Sequence, residues 1–172
     1  MVDDPLSRVR VVLYEPQDPV NIAATVRAMK NMGVDALRLV RPAAYDASRV
    51  QRVAHGTREL VARIIHCERL DEAIADCALV AGFTARRRSA KWRVVTPREL
   101  APEVLSIGAE SPVALLFGRE DKGLPNDALD RANVVVTIPT TEHASLNLAH
   151  AVTIALYELH VAAPDVTRVL AP

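Results

Sequence analysis

Two loops near the end of the sequence hold residues suited to binding a small ligand. Each follows an apolar run that reads as a buried strand: Val113 to Phe117 ends at Gly118, and Val134 to Ile138 ends at Pro139. A glycine there lets a ligand approach the backbone, and a proline leaves the preceding carbonyl groups without ladder partners. Such loops meet at the carboxyl edge of a parallel sheet, where ligands bind. The dipeptides alone favour the plainer interpretation, two ordinary strand ends.

Polar side chains near these loops come from two predicted helices. Ser145 is predicted to be the N-cap of the closing helix, which runs to about Val161, and Asn147 falls in its first turn. Asparagine is a mediocre helix former, but its amide can donate or accept a hydrogen bond. The first helix carries Asn21 and Arg27. Arg27 lies off the apolar stripe of that helix, so spacing alone predicts a solvated arginine.

The most basic loop of the protein offers a second kind of chemistry. Its five cations within eight residues are Arg86, Arg87, Arg88, Lys91 and Arg93. Trp92 lies among them and could stack on a base, so the loop is typical of RNA phosphate binding. The alternative is a solvated surface loop whose charges cluster by accident.

Composition limits the classes of protein that fit. The 172 residues carry zero formal net charge, so any nucleic-acid binding must use a local basic patch. No apolar run reaches membrane-spanning length, and the N-terminus does not read as a signal peptide. Cys67 and Cys77 lack metal-ligand spacing and predict reduced thiols in a cytoplasmic protein. The histidines form no metal-ligand pattern, and the usual dinucleotide, nucleoside-triphosphate and GxSxG motifs are missing.

Alternating elements predict an α/β fold. The expected strands are Val9 to Tyr14, Ala36 to Val40, Ala78 to Gly82, Val113 to Phe117 and Val134 to Ile138. The expected helices are Pro19 to about Met32, Asp46 to Ala54, Thr57 to Ile65, Leu70 to Asp76, one beginning at Pro97, Pro125 to Asp130, and Ser145 to Val161. This order predicts a mostly parallel sheet with helices on both faces. We expect one domain over 1–162 and a tail over 163–172.

Three segments together resemble the SpoU/TrmH-type RNA 2′-O-ribose methyltransferases of the SPOUT superfamily. They are NIAATVRAMKNMG from Asn21, LLFGREDKGL from Leu115 and IPTTEHASLNLAHAV from Ile138, and they correspond to the three motifs of that family. The resemblance extends from Val9 to about Val161. HGTRELV from His55 and GFTARRR from Gly82 are most similar to the TrmJ branch, which methylates a ribose in the tRNA anticodon loop.

The resemblance implies more than composition could show. Family members tie the C-terminal part of the sheet into a deep trefoil knot, an exception to the rule against knots. They are homodimers with the site near the subunit interface. They bind S-adenosylmethionine in the knot, mostly through backbone groups, and need no metal.

Residue roles follow from the same resemblance. The cofactor contacts would be Phe83, Thr84, Ala85, Gly118, Ile138, Ala144, Ser145 and Leu146. The catalytic group would be Arg27, Asn21 and Asn147, with Arg27 matching the arginine that the family assigns to catalysis. The residues contacting tRNA would be Arg86, Arg88 and Arg119. Glu120 matches a further polar motif position.

The implied activity is methyl transfer from S-adenosylmethionine to a ribose 2′-hydroxyl, with a pyrimidine nucleotide of the tRNA anticodon loop as acceptor. Alternatives are a ribosomal RNA 2′-O-methyltransferase and a non-catalytic RNA-binding protein on the same scaffold. Two departures from the TrmJ pattern stand out. The loop between Ile138 and Ser145 is a residue shorter. The sequence ends at Pro172, where TrmJ-type proteins usually carry a C-terminal extension, so residues 163–172 are either a tail or the start of such an extension.

Overall fold

The computed structural model of the protein describes residues 4–86 and 91–163. The strands are β1 Val9–Tyr14, β2 Ala36–Val40, β3 Ile65–Cys67, β4 Leu79–Phe83, β5 Val94–Val95, β6 Val113–Phe117 and β7 Val134–Val136. The helices are α1 Pro19–Met32, α2 Ala47–Val53, α3 Arg58–Ala62, α4 Leu70–Ile74, α5 Pro97–Gly108, α6 Asn126–Leu129 and α7 Leu148–Ala162. A short 3-10 turn, Pro5–Arg8, precedes β1.

The strands form one sheet in the order β3-β2-β1-β6-β4-β7-β5, and each pairing between them is parallel. The predicted α/β class with a parallel sheet is therefore confirmed. Two strands were missed. The predicted helix Thr57 to Ile65 overlaps the first residue of β3, and no element was predicted over β5, because two or three residues at a sheet edge are too short to show a period. The trefoil knot stays a prediction.

Helices cover both faces of the sheet, as predicted. On one face, α1, α2, α3, α5 and α7 bury a core with Val9, Val11 and Leu13 of β1. On the other, α4 and α6 pack over Val12 and Tyr14. Because successive side chains of a strand point to opposite faces, a run such as VRVVLY can serve both cores.

Helix α1 begins and ends where the sequence predicts. The Asp18 side chain accepts a hydrogen bond from the Val20 N–H, Pro19 occupies the first helical position, and Gly33 ends the helix in the left-handed conformation with φ of 76°. The predicted apolar stripe of Ile22, Val26 and Met29 is buried. This helix presents Asn21 toward the C-terminal helix.

The closing helix begins later than predicted. α7 starts at Leu148, and its N-cap is Asn147, whose side chain accepts from the N–H groups of Ala149 and His150. The prediction of Ser145 as N-cap, with Asn147 inside the first turn, is therefore wrong. Either residue type caps helices well, and Asn147 also makes a tertiary contact that is described below.

The boundary between a domain over 1–162 and a tail over 163–172 stays a prediction. Only Ala163 of that tail lies within the described residues, where it is buried. Within the described ranges, no helix is long and apolar enough to cross a bilayer.

Candidate functional site

A cavity of about 260 Å³ opens at the carboxyl ends of β4, β6 and β7. Phe83 ends β4 and Phe117 ends β6, while the loop after β7 returns over the opening before α7. The eight residues that the sequence predicted as cofactor contacts all line this cavity: Phe83, Thr84, Ala85, Gly118, Ile138, Ala144, Ser145 and Leu146. The structure thus brings together three segments that are far apart in the sequence.

The floor of the cavity is aromatic and apolar. Phe83 and Phe117 are register partners on adjacent strands, and their rings stack with centroids 4.3 Å apart. Val136, the last residue of β7, lines the same floor. An apolar floor with polar groups at its rim suits a flat heterocycle with polar edges.

The loop after β6 requires glycine at position 118. A Cβ placed there would lie 2.2 Å from both the carbonyl carbon of Gly123 and the backbone nitrogen of Leu124. The loop turns back on itself, because the Gly123 N–H donates to the Arg119 carbonyl over 2.8 Å and Gly123 takes φ of 66°. Close approach of two backbone segments therefore shapes this wall of the cavity.

Backbone groups of the opposite wall are available to a ligand. Ile138, Ala144, Ser145 and Leu146 lie outside helix and strand, and their backbones make no hydrogen bond to another backbone group of the described residues. Backbone donors and acceptors need partners, and a bound ligand can supply them. The wall can therefore bind the polar edge of a heterocycle without using side-chain groups.

A series of hydrogen bonds ties the cavity to both helices that flank it. The Glu120 carboxylate, on the cavity wall, accepts from the backbone N–H groups of Gln17 (2.9 Å) and Asp18 (3.1 Å) and from the amide of Asn21 (3.4 Å). The Asn147 amide donates to the Asn21 side-chain oxygen over 2.9 Å. Since Asn147 also caps α7, one network fixes the start of α1, the wall loop and the start of α7.

Replacing Asn147 with alanine should lower the free energy of unfolding by about 1–2 kcal/mol, because the N-cap of α7 is lost. Asn31→Ala, at an exposed position of α1, is the matched control and should change it by less than about 0.5 kcal/mol. Denaturant unfolding of Asn21→Ala, Asn147→Ala and the double variant measures the coupling, expected at about 1 kcal/mol. Purely additive effects would mean that the bond between the two amides contributes nothing.

Arg27 does not line the cavity of its own protomer. It is exposed and makes no hydrogen bond or ion pair with the residues that the structure describes. Arg27 follows Asn21 by six residues, which places the two side chains about 120° apart around the helix. The structure therefore brings Asn21 and Asn147 together beside the cavity and leaves Arg27 on a different face of α1.

The basic loop is less available to RNA than the sequence suggested. Lys91 pairs with Asp130 (2.7 Å), Arg93 pairs with Glu103 (2.9 Å), and Trp92 is half-buried against the second core. Arg86 lines the cavity and donates to the Lys122 carbonyl. Arg87 and Arg88 lie outside the described residues. Folding therefore neutralises part of the patch that the sequence showed.

Arg119 lines the cavity but is held by its own loop. Its guanidinium binds both carboxylate oxygens of Asp121, at 2.6 and 3.2 Å. The hydrogen bond from Arg119 lowers the pKa of the Asp121 carboxyl. Contact with RNA would require Arg119 to share or exchange this partner.

Sequence reasoning missed several parts of the site. Phe117, Asp121, Lys122 and Gly123 line the cavity, yet none was predicted to touch a ligand. The available signal was that Asp121, Lys122 and Gly123 lie in the GREDKGL loop with Gly118, and that Phe117 directly precedes this loop. The two N–H donors to Glu120 from the loop before α1 had no signal, because backbone groups leave none in a sequence. Among the described residues, no group of three His, Cys, Asp or Glu side chains could hold a metal ion.

Comparison with known proteins shows which proteins are similar to this one in sequence and fold. The model of the SpoU rRNA Methylase family matches residues 8–157. The sequence is 41% identical over 164 residues to tRNA (cytidine/uridine-2'-O-)-methyltransferase TrmJ of Sodalis glossinidius (strain morsitans). That alignment covers 95% of this protein but 64% of the relative, so the sequence spans less than two thirds of the length of this relative.

Solved structures of methyltransferases are similar to this fold. The crystal structure of TrmJ from Z. mobilis ZM4 superposes with a TM-score of 0.82 at 35% identity, over 88% of this protein and 67% of that one. An AdoMet-bound rRNA methyltransferase from Sinorhizobium meliloti gives a TM-score of 0.67 at 26% identity, over 90% of this protein and 56% of that one.

Proposed function

The protein belongs to the SpoU rRNA methylase family, and from that premise we propose that it transfers a methyl group from S-adenosylmethionine to a ribose 2′-hydroxyl of tRNA. The observation that carries the proposal is the convergence of eight motif residues on one cavity at the carboxyl edge of the sheet. The acceptor would be a pyrimidine nucleotide of the anticodon loop, in keeping with the cytidine/uridine activity in the name of the TrmJ relative.

The cavity suits the adenosyl part of the donor. Backbone groups of Ile138 and of residues 144–146 can bind the edge of an adenine, while Phe83 and Phe117 provide an apolar floor. Gly118 lets the loop after β6 fold back against Gly123 and Leu124, which gives the other wall of the cavity its shape. An AdoMet-bound structure with the same fold supports this choice of cofactor.

Catalysis would consist of alignment and charge stabilisation. When bound, S-adenosylmethionine supplies an electrophilic methyl group on a sulfonium. The cavity walls would hold the donor so that the ribose oxygen, methyl and sulfur lie in line. Arg27 would stabilise the developing alkoxide or the neighbouring phosphate through its forked N–H donors. A guanidinium stays protonated at neutral pH, so a phosphate oxygen of the RNA or a water would accept the proton.

This role for Arg27 requires a second copy of the protein. Arg27 shares an exposed stripe of α1 with Val20 and Ala24, and Val20 is 57% exposed. Neighbouring α7 exposes Tyr157 and Val161. Since α1 and α7 pack together, we propose that a homodimer buries the exposed apolar residues of both helices. Arg27 in that interface could reach the cavity of the partner copy.

A mixed dimer tests this arrangement directly. Ala144→Trp would place an indole in the cavity, and Arg27→Ala would remove the guanidinium, so each homodimer should be inactive. A purified dimer with one protomer of each kind has one intact cavity facing one intact Arg27. We expect it to regain about half of wild-type turnover. An inactive mixed dimer would instead mean that Arg27 does not serve the cavity of its partner.

Isothermal titration with S-adenosylmethionine, followed by transfer of labelled methyl to tRNA or ribosomal RNA, tests the proposal as a whole. Saturable binding and methyl transfer to tRNA are the expected results. Transfer to ribosomal RNA alone would identify the acceptor as ribosomal. RNA binding without cofactor binding would identify a non-catalytic RNA-binding protein. We place the reaction in the cytoplasm, consistent with two free cysteines and a tRNA substrate.

A further inference from the structure

Several exposed cations that lack side-chain partners among the described residues lie together on three helices. Lys30 of α1, Arg49 of α2 and Arg58 of α3 are exposed, and their side chains make no hydrogen bond or ion pair with any residue in 4–86 or 91–163. Arg52 of α2 is also exposed and makes no such bond; the pKa of Asp46 is lowered chiefly by hydrogen bonds from Ser48 and only slightly by the charge of Arg52. α1, α2 and α3 pack against one another on the same face of the sheet. We call these four residues the helical basic surface.

Several other exposed cations of the described residues are already neutralised. Arg69 pairs with Glu72, Arg98 with Glu158 and Arg131 with Asp71, all on other parts of the surface. Lys91 and Arg93 of the basic loop are paired as described above. Lys122 lies at the mouth of the first cavity. Like the four cations of the helical basic surface, its ammonium makes no hydrogen bond or ion pair with a described residue. A protein with zero formal net charge therefore presents uncompensated positive charge in a defined place.

A second cavity lies within the helical basic surface. It has a volume of about 550 Å³ and is open between the end of α1, the start of β2 and α3. Lys30 and Arg58 both line it, so two unpartnered cations face one space. Arg63 lines it too, but Asp35 (3.2 Å) and Glu59 (3.9 Å) neutralise that guanidinium. Gly56 borders the opening with φ of 73°, and a Cβ added there would meet no atom within 4 Å, so a ligand can approach its backbone.

We propose that the helical basic surface binds the phosphate backbone of the RNA substrate, with Lys30 and Arg58 holding one phosphate in the second cavity. This inference rests on the proposed function, because the polyanion it assigns is the methyl acceptor. Lys30 follows Arg27 by three residues, about 4.5 Å along α1. A nucleotide whose ribose lies at Arg27 would therefore have its neighbouring phosphates within reach of Lys30.

Electrostatics favour phosphate as the occupant. The surface and its cavity carry five cations in all, Arg63 included, against the three acids Asp35, Asp46 and Glu59, so the local charge is positive. Lysine and arginine neutralise phosphates with release of condensed counterions, which makes binding strongly salt-dependent. Phosphate contacts position an RNA without reading its sequence. The surface would therefore set the register of the tRNA on the enzyme rather than choose the base.

The test compares two double variants that each remove two positive charges. Lys30→Gln/Arg58→Gln alters the second cavity, and Arg69→Gln/Arg131→Gln alters the opposite face of the sheet. The probe is unmodified bulk tRNA, titrated from about 50 to 300 mM KCl. For the first variant we expect the slope of log affinity against log salt to become shallower by about 1.4–1.8, and affinity near 0.1 M salt to fall more than about 10-fold. The control variant should match wild type.

Three further readouts separate this inference from the proposed function. For Lys30→Gln/Arg58→Gln, the melting temperature, the affinity for S-adenosylmethionine and kcat at saturating tRNA should stay unchanged, while KM for tRNA rises. If wild type methylates tRNA and this variant keeps its affinity and salt slope, the proposed RNA-binding role of the surface is contradicted, while the proposed function is not. If wild type binds tRNA through this surface without methylating it, the proposed function is contradicted, while the RNA-binding role is not. Absence of tRNA binding at the lowest salt concentration contradicts the RNA-binding role.

Discussion

Replacing Arg27 with alanine should lower kcat about 10²- to 10³-fold while changing the affinity for S-adenosylmethionine less than about twofold. The expected loss is that of one donor aimed at developing negative charge in a site shielded from water. Cofactor affinity should survive because Arg27 would contact the acceptor ribose or its phosphate rather than the cofactor. Single-turnover methylation of tRNA and calorimetric titration of the cofactor measure the two quantities separately.

The matched control for this prediction is Arg27→Lys. Lysine keeps the positive charge but lacks the planar fork of donors, so we expect an intermediate loss of turnover. Arg27 is exposed and unpartnered among the described residues, so neither variant should change the melting temperature much. A parallel loss of cofactor affinity and turnover would contradict the proposed role, since it would make Arg27 part of the cofactor site.

Replacing Gly118 with alanine should weaken binding of S-adenosylmethionine at least about 100-fold and lower the free energy of unfolding by about 1–3 kcal/mol. The added Cβ would meet backbone atoms of Gly123 and Leu124 at 2.2 Å. These backbone atoms cannot move aside as the end of a flexible side chain can. The GREDKGL loop must then shift, and with it the Glu120 carboxylate that anchors α1. Calorimetric titration and denaturant unfolding measure the two effects.

Gly56→Ala is the control for the loss of a glycine. Gly56 has φ of 73°, so alanine there is strained by about 1–2 kcal/mol, but its surroundings are open and distant from the first cavity. Cofactor affinity should therefore be unchanged. If Gly118→Ala bound the cofactor as well as Gly56→Ala does, the close approach at position 118 would not shape the cofactor site.

The sequence located the cavity well for a physical reason. Apolar runs indicate where buried parallel strands end, although β7 ends at Val136 and not at Ile138 as predicted. The carboxyl ends of neighbouring parallel strands must meet at one edge. Predictions for Gly118 and Ile138 therefore placed them together before any coordinates. The motif resemblance extended this to residues 83–85 and 144–146, whose own local pattern is weak. What a sequence shows best is thus where backbone loops converge on the sheet.

Contacts between distant residues explain what the sequence did not show. Ser145 and Asn147 are both good caps, and the bond from Asn147 to Asn21 accompanies the later start of α7. Lys91 and Arg93 looked free because their carboxylate partners, Asp130 and Glu103, lie elsewhere in the sequence. β3 and β5 exist through pairing with β2 and β7 rather than through any period of their own.

Arg27 and the helical basic surface show the same limit. Spacing predicted a solvated arginine at position 27, and the structure agrees for a single protomer. Its proposed role arises from the second copy, which no pattern within one sequence describes. Likewise Lys30 and Arg58, far apart in sequence, become neighbours of one cavity only after α1 and α3 pack.

Mass-spectrometric mapping of methylated nucleosides tests the central claim most directly. Unmodified tRNA is incubated with the purified protein and S-adenosylmethionine carrying an isotopically labelled methyl group, then digested. We predict the label on the ribose 2′-oxygen of a pyrimidine nucleotide in the anticodon loop, and about 10²- to 10³-fold slower labelling when Arg27→Ala replaces the wild-type protein. Label on a base, or an unlabelled tRNA despite saturable cofactor binding, would contradict the account.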